Sequence, residues 1–203
     1  MPKVYAIDGI TPVVHPSAFV HPSAVLIGDV IVAARAYIGP AACLRGDFGR
    51  IVVEEGANIQ DTCMLHGFPG KDTVVGAEAT IGHGAVLHGC VVRRGALVGM
   101  NCVVNDNAEV GEDAVVAALA FVKAEARVEA RTLVAGIPAR VLRTLTAQEL
   151  RWKKDNMHLY QQLAVRSASS MKEVDALTEV EANRKRISVP GAVPLSELKK
   201  KHA

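Results

Sequence analysis

The sequence predicts an all-β solenoid: a parallel β-helix of hexapeptide repeats with a C-terminal α-helical extension. Three observations predict it. They are a written-out repeat, a long ladder of aliphatic residues spaced by six, and a proline that ends the ladder just before a helix start signal. The repeat stands in "VHPSAFVHPSAV", where Val14-His-Pro-Ser-Ala is followed by Val20-His-Pro-Ser-Ala. Continuing in sixes gives Leu26, Val32, Ile38 and Leu44. After a slip of three residues come Val53, Ile59 and Leu65, and after an insertion of four come Val75, Ile81 and Leu87. One residue early comes Val92, then Val98, Val104, Val110, Val116, Val122, Val128 and Val134. Every rung is Val, Ile or Leu, and a fixed short period of this kind marks a repeat architecture.

Six is not a helical period. It suits a short extended face followed by a tight corner. Three faces make a coil of about 18 residues, and coils stack by parallel pairing at about 4.8 Å. The rungs fill the axis, and small residues and glycines are expected at the corners. Residues 1–13 then read as a lead-in and 14–143 as the β-helix. Pro138 lacks a backbone donor and cannot continue a central ladder. Thr146 and Glu149 form a capping box at the start of a helix, whose apolar stripe is Leu150, Met157, Tyr160, Leu163 and Ala164. A second helical segment is expected over roughly 170–184. The extension spans 144–187, and 188–203 reads as a flexible tail.

Composition narrows the function classes. The 203 residues carry a formal net charge of +2, with four Phe, three Tyr and one Trp. Neither a basic field nor stacking capacity points to nucleic acid. Cys43, Cys63, Cys90 and Cys102 show no C-x-x-C spacing and read as small buried hydrophobes. No apolar run reaches the roughly 18 residues of a membrane span, and the start lacks a signal-peptide pattern. A soluble cytoplasmic protein is the expectation.

The ladder places the candidate site. Leu44, Leu65, Leu87 and Val104 share the third face in successive coils, so the residues after them, Arg45, His66, His88 and Asn105, form a column. His66 and His88 become neighbours about 5 Å apart along the axis. His83 follows Ile81 on the second face, above Asp61 and beside Gln60. A face width separates it from the other two, too far for one ion with bonds of about 2.0–2.1 Å. A neighbouring subunit could supply it: if the two columns meet between chains, the heterologous contact closes into a homotrimer. His66 and His88 of one chain and His83 of the next would then hold an interfacial divalent metal, with Arg45 close to Asp61 across the contact. Three imidazoles and an open position favour zinc, while iron, cobalt or nickel also suit them. His15 and His21 read as solvated corner residues, and His158 and His202 are assigned no role. Arg151, Lys153 and Lys154 read as a solvated face, with coenzyme A phosphates as the sharper alternative.

Together "LRGD" (44–47), "NIQD" (58–61), "MLHG" (64–67) and "IGHGAVLHGC" (81–90) resemble the γ-class carbonic anhydrase family of hexapeptide-repeat proteins. The resemblance implies a left-handed β-helix, a trimer, and an interfacial metal on His66, His83 and His88. It also implies Arg45 and Asp47 in interface ion pairs with Asp61, and Gln60 near the metal-bound water. Longer stretches, including "LRGDFGRIVVEEGANIQD" and "HGFPGKDTVVG", are similar to the branch linked to phenylacetate degradation and carnitine operons. That branch implies a thioesterase acting on coenzyme A thioesters.

One departure bears on chemistry. Phe48 follows Asp47 where the prototype anhydrase has acidic residues, and the insertion offers only Asp72 beside a lysine. Rapid CO₂ hydration must export a proton each cycle, whereas a thiolate with a pKa near 8.5 leaves with little help. The expected function is therefore a metal-dependent acyl-CoA thioesterase, in which metal-bound water attacks the thioester carbonyl. Carbonic anhydrase is the first alternative and a hexapeptide acyltransferase the second.

Overall fold

A computed structural model describes residues 2–193 and Glu197. Over 13–135 the chain winds as a parallel β-helix with three faces. The third and first faces join into one sheet because two long strands, Val25–Val32 and Cys43–Val53, run around the corner between them. The second face forms its own sheet, ending where Arg140–Thr144 turns back antiparallel on Thr132–Ala135. The lead-in is partly built into the prism: Lys3–Tyr5 adds a parallel strand alongside Val25–Ile27.

The predicted ladder is the core. From Leu26 to Val134 every rung is buried, most of them completely. Two residues before most rungs lies a second buried position, held by Ala24, Ala36, Ala57, Ala85 and their equivalents. Cys63, Cys90 and Cys102 occupy this small inner position, as expected of buried hydrophobes. Burial pushes the thiols of Cys63 and Cys90 up to about 11 and about 12, so both stay protonated and unreactive. Cys43 differs: it lies one residue before Leu44, faces outward, and is only half-buried.

The corners differ from the expectation of glycines. Many carry ordinary side chains at positive φ, among them Arg35, Thr62, Glu78, Asn101, Leu119 and Arg131. That conformation costs roughly 1–2 kcal/mol for an L residue. Coil-to-coil hydrogen bonds at the corners offset it, as where Leu119 N–H donates to the Met100 carbonyl (2.9 Å). His15 and His21 also lie at corners and are more than solvated. Each His Nδ1 accepts the N–H of the serine two residues on, and that serine's Oγ accepts an N–H from the next coil.

The helix runs Ala147–Ser170, with the expected capping box: Glu149 N–H donates to Thr146 Oγ1 (3.2 Å) and Thr146 N–H to Glu149 Oε2 (3.0 Å). Its stripe covers the second face, where Tyr160, Leu163 and Ala164 pack on Phe19 and Tyr37. Lys153 is not on a solvated face. It is buried, donating to Asp113 Oδ1 (2.6 Å) and the Gly95 carbonyl. The segment after Ser170 forms no second helix: 171–187 is exposed and irregular. Its few apolar residues, such as Val174 and Val180, find nothing to pack against, and a weak stripe does not hold an isolated helix in water. Residues 188–193 lie against the helix, where Trp152 Nε1 donates to the Val193 carbonyl (2.7 Å). The rest of the expected loose tail, with His202, falls outside the described residues apart from Glu197.

Candidate functional site

All three breaks in the six-residue period fall at the corner between the third and first faces, the last being the one-residue shortening between Leu87 and Val92. The three-residue slip lies within Cys43–Val53, and the insertion lies between Met64–His66 and Thr73–Val75. Extra chain there cannot enter the axis, so it gathers outside, beside the column that carries the histidines.

The column has the predicted register. Leu44 pairs with Leu65, Leu65 with Leu87, and His66 directly with His88. His66 Nδ1 and His88 Nε2 lie 3.1 Å apart. The outer nitrogen of each ring meets a carboxylate: His66 Nε2 and Asp47 Oδ1 are 3.0 Å apart, His88 Nδ1 and Asp106 Oδ1 2.5 Å. Arg45 donates to the other oxygen of Asp47 (3.3 Å), so these two form an ion pair within one chain.

His83 is on the neighbouring corner, as its spacing requires. Its Nδ1 is 2.8 Å from Asp61 Oδ2, and its backbone N–H donates to Gln60 Oε1 (3.3 Å). Gln60 is buried, and its Nε2 donates to Asn58 Oδ1 (3.2 Å). The amide therefore braces the His83 turn. The helix approaches the same corner, and burial, followed by the charge of Asp61, pushes the Tyr160 phenol up to about 12.

The donor set fits a divalent cation. An ionised carboxylate only accepts, so the outer nitrogens of His66 and His88 donate to it, and neutral rings keep lone pairs on the inner nitrogens. Two lone pairs at 3.1 Å repel unless a shared proton or a metal cation lies between them. Tetrahedral zinc with bonds of 2.0–2.1 Å holds two ligand nitrogens about 3.3–3.4 Å apart, close to what is observed. A carboxylate behind each imidazole is the usual outer support of a metal-ligating histidine, and all three histidines have one. Among the described residues of the single chain, no three or more His, Cys, Asp or Glu side chains are placed to hold one ion. That agrees with His83 lying apart from the pair.

Sequence reasoning overlooked Asp106. The signal was present: it lies one coil beyond His88, next to Asn105 in the same column, where a ligand's carboxylate would be sought. It also gave no position to Phe68. That ring stands edge-on to His88, centroids 4.8 Å apart, while Phe48 lies 5.4 Å from His66.

No family model matches the chain. The carnitine operon protein CaiE of Salmonella newport is 58% identical over 183 residues, covering 90% of this chain and 92% of that protein. The chain belongs to the CaiE family. CaiE of Salmonella enteritidis matches with the same identity and coverage. Among solved structures, a Bacillus cereus protein described as an acetyltransferase superposes with a TM-score of 0.82 at 30% identity, over 83% of this chain and 98% of that one. A hexapeptide transferase family protein from Anaplasma phagocytophilum gives 0.78 at 36% identity, over 80% and 96%. The fold shared with these neighbours is the left-handed parallel β-helix. No helix among the described residues is long and apolar enough to cross a membrane.

Proposed function

We propose that this CaiE-family protein is a metal-dependent hydrolase of acyl-CoA thioesters, working at sites between the subunits of a homotrimer. One observation carries the reading: the inner nitrogens of His66 and His88 face each other at 3.1 Å while both outer nitrogens are engaged by carboxylates. His66 and His88 of one chain, with His83 of the next, would hold the ion. Zinc suits this set best, and iron, cobalt or nickel could take its place. Bound there, the ion supplies Lewis acidity and a hydrolytic nucleophile near neutral pH.

The chain's own residues do the rest. Asp47, Asp61 and Asp106 fix ring orientation and tautomer. Arg45 holds Asp47 in place, and Gln60 holds the turn that carries His83. Hydrolysis cleaves the carbon–sulfur bond, giving a carboxylic acid and a thiol. The thiolate leaves without a strong acid beside it. CO₂ hydration asks more, since a proton must leave on every cycle; the carboxylates of Asp47 and Asp106 are engaged with the outer ring nitrogens, and the remaining side chains packed against the pair are Phe48 and Phe68.

Purified protein should contain a stoichiometric transition metal and release thiol from acyl-CoA esters, and His88→Ala or chelation should abolish both metal retention and release. Thiol release that survives both treatments defeats the mechanism. Oxygen-18 exchange between CO₂ and water measures the anhydrase alternative. A second reading, acyl transfer, draws on the transferase-type neighbours and on the His83–Asp61 pair, which suits a general base. Metal-independent transfer to an amine or alcohol acceptor would favour it.

A further inference from the structure

Two of the four phenylalanines are where folding does not want them. Phe48 is 62% exposed and Phe68 46% exposed, yet each stands against one histidine of the pair. The four rings form a continuous run, Phe48, His66, His88, Phe68, with successive centroids 5.4, 5.1 and 4.8 Å apart. The facing nitrogens lie at the middle of the run and an apolar ring closes each end.

The arrangement is held by backbone. A side chain at Gly49 would meet the Phe68 carbonyl at 2.3 Å, so only glycine lets the insertion pack so closely behind Phe48. Thr73 Oγ1 donates to the His66 carbonyl (2.7 Å) and accepts from Gly89 N–H (3.0 Å), tying the end of the loop to both histidine strands. Lys71 N–H donates to the Phe68 carbonyl (3.2 Å) and closes the loop's turn. Two large aromatics kept partly exposed on a braced loop and a strand corner forgo part of the stabilisation that burial would give. Surface of this kind beside a reacting centre is suited to an apolar ligand group.

We infer that Phe48 and Phe68 are the specificity-determining residues for the acyl group, and that they select a bulky apolar acyl chain over acetyl. The inference rests on the thioesterase reading for the identity of the reacting centre. With the carbonyl carbon at the histidine pair, the rest of the acyl chain lies against one ring or the other. Aromatic contacts favour a flat, ring-bearing chain beyond the area buried. A single methyl group offers them almost nothing.

The test uses full-length, metal-loaded protein and two inert thioethers of coenzyme A, in which a methylene separates the sulfur from a phenylacetyl or an acetyl carbonyl. Calorimetry should show the phenylacetyl analogue binding at least about tenfold tighter, and Phe48→Ala with Phe68→Ala should remove most of that preference. In turnover, the ratio of kcat/KM for phenylacetyl-CoA over acetyl-CoA should fall by a similar factor. Equal binding of the two analogues, or a ratio unchanged in the double variant, overturns the inference and leaves the thioesterase reading standing. The opposite split, a Phe-dependent preference in binding with no hydrolysis of any thioester, refutes that reading and keeps the inference. Tighter binding of a trimethylammonium-bearing acyl analogue than of the phenylacetyl one also overturns it, because the rings would then be a cation site. So does dissociation of the double variant into monomers, which would make the rings an interface between subunits.

Discussion

Asp106 shows what a single carboxylate can do at this site. It lies 2.5 Å from the outer nitrogen of His88 and so settles which nitrogen keeps its lone pair. Asp106→Asn keeps the shape but turns an obligate acceptor into a side chain that can also donate, and the ring's tautomer is no longer specified. Metal affinity should fall about 10–100-fold while the circular dichroism spectrum stays unchanged. Competition against a chelator of known affinity measures it, and unchanged affinity would show that the carboxylate is not a support. The histidines were legible from the period alone, because ladder arithmetic gives column and corner. Their carboxylate partners were legible only in part. Asp61 lies beneath His83 by register, but the Asp47–His66 and Asp106–His88 contacts depend on how two corners bend.

The capped helix Ala147–Ser170 is the element whose docking the sequence only half revealed. Capping box and apolar stripe were both readable, since each is a local pattern. The role of Lys153 was not. Its position among Arg151 and Lys154 looks like a solvated charge run, and only the packed geometry brings it to Asp113 and the Gly95 carbonyl. Lys153→Ala strips a partly buried carbonyl and a partly buried carboxylate of their donor, which should cost about 1–3 kcal/mol in urea denaturation. Thr146→Ala, which removes the cap, should cost about 1 kcal/mol. The helix packs on the face that carries His83, so detaching it should also loosen that corner.

At the scale of the whole molecule, the decisive feature is that one chain does not bring its three carboxylate-paired histidines together. His66 and His88 share the third-face column, while His83 stands on the adjoining corner with Asp61. If metal sites form between subunits, two inactive variants should rescue one another. His66→Ala loses the column side and His83→Ala loses the corner side, so each homotrimer is dead. Mixed trimers regain an intact site wherever a His83→Ala chain offers its column to the corner of a His66→Ala chain. Random 1:1 co-assembly should restore about a quarter of wild-type activity. Mixed assemblies that stay inactive would place the site within one chain.

The sequence by itself determined the period, and through it the core, the three faces, and which residues share a column. Those are consequences of a repeat in which each coil contacts only its neighbours, so sequence distance converts directly into position. It also determined that His83 and His88, five apart, belong to adjacent faces. Tertiary structure decided what happens where the period breaks. The slip at 46–50 and the insertion at 66–73 leave the repeat, and nothing in their spacing says how extra chain folds outside a prism. There Gly49 admits the loop, Phe48 and Phe68 come to flank the histidines, and Asp47 and Arg45 turn toward His66. Regular segments are readable because their geometry is imposed by the coil below. The irregular ones, which bring Phe48, Phe68 and Asp47 up to the histidines of the regular column, are free of that constraint, and for the same reason their arrangement emerges only on packing.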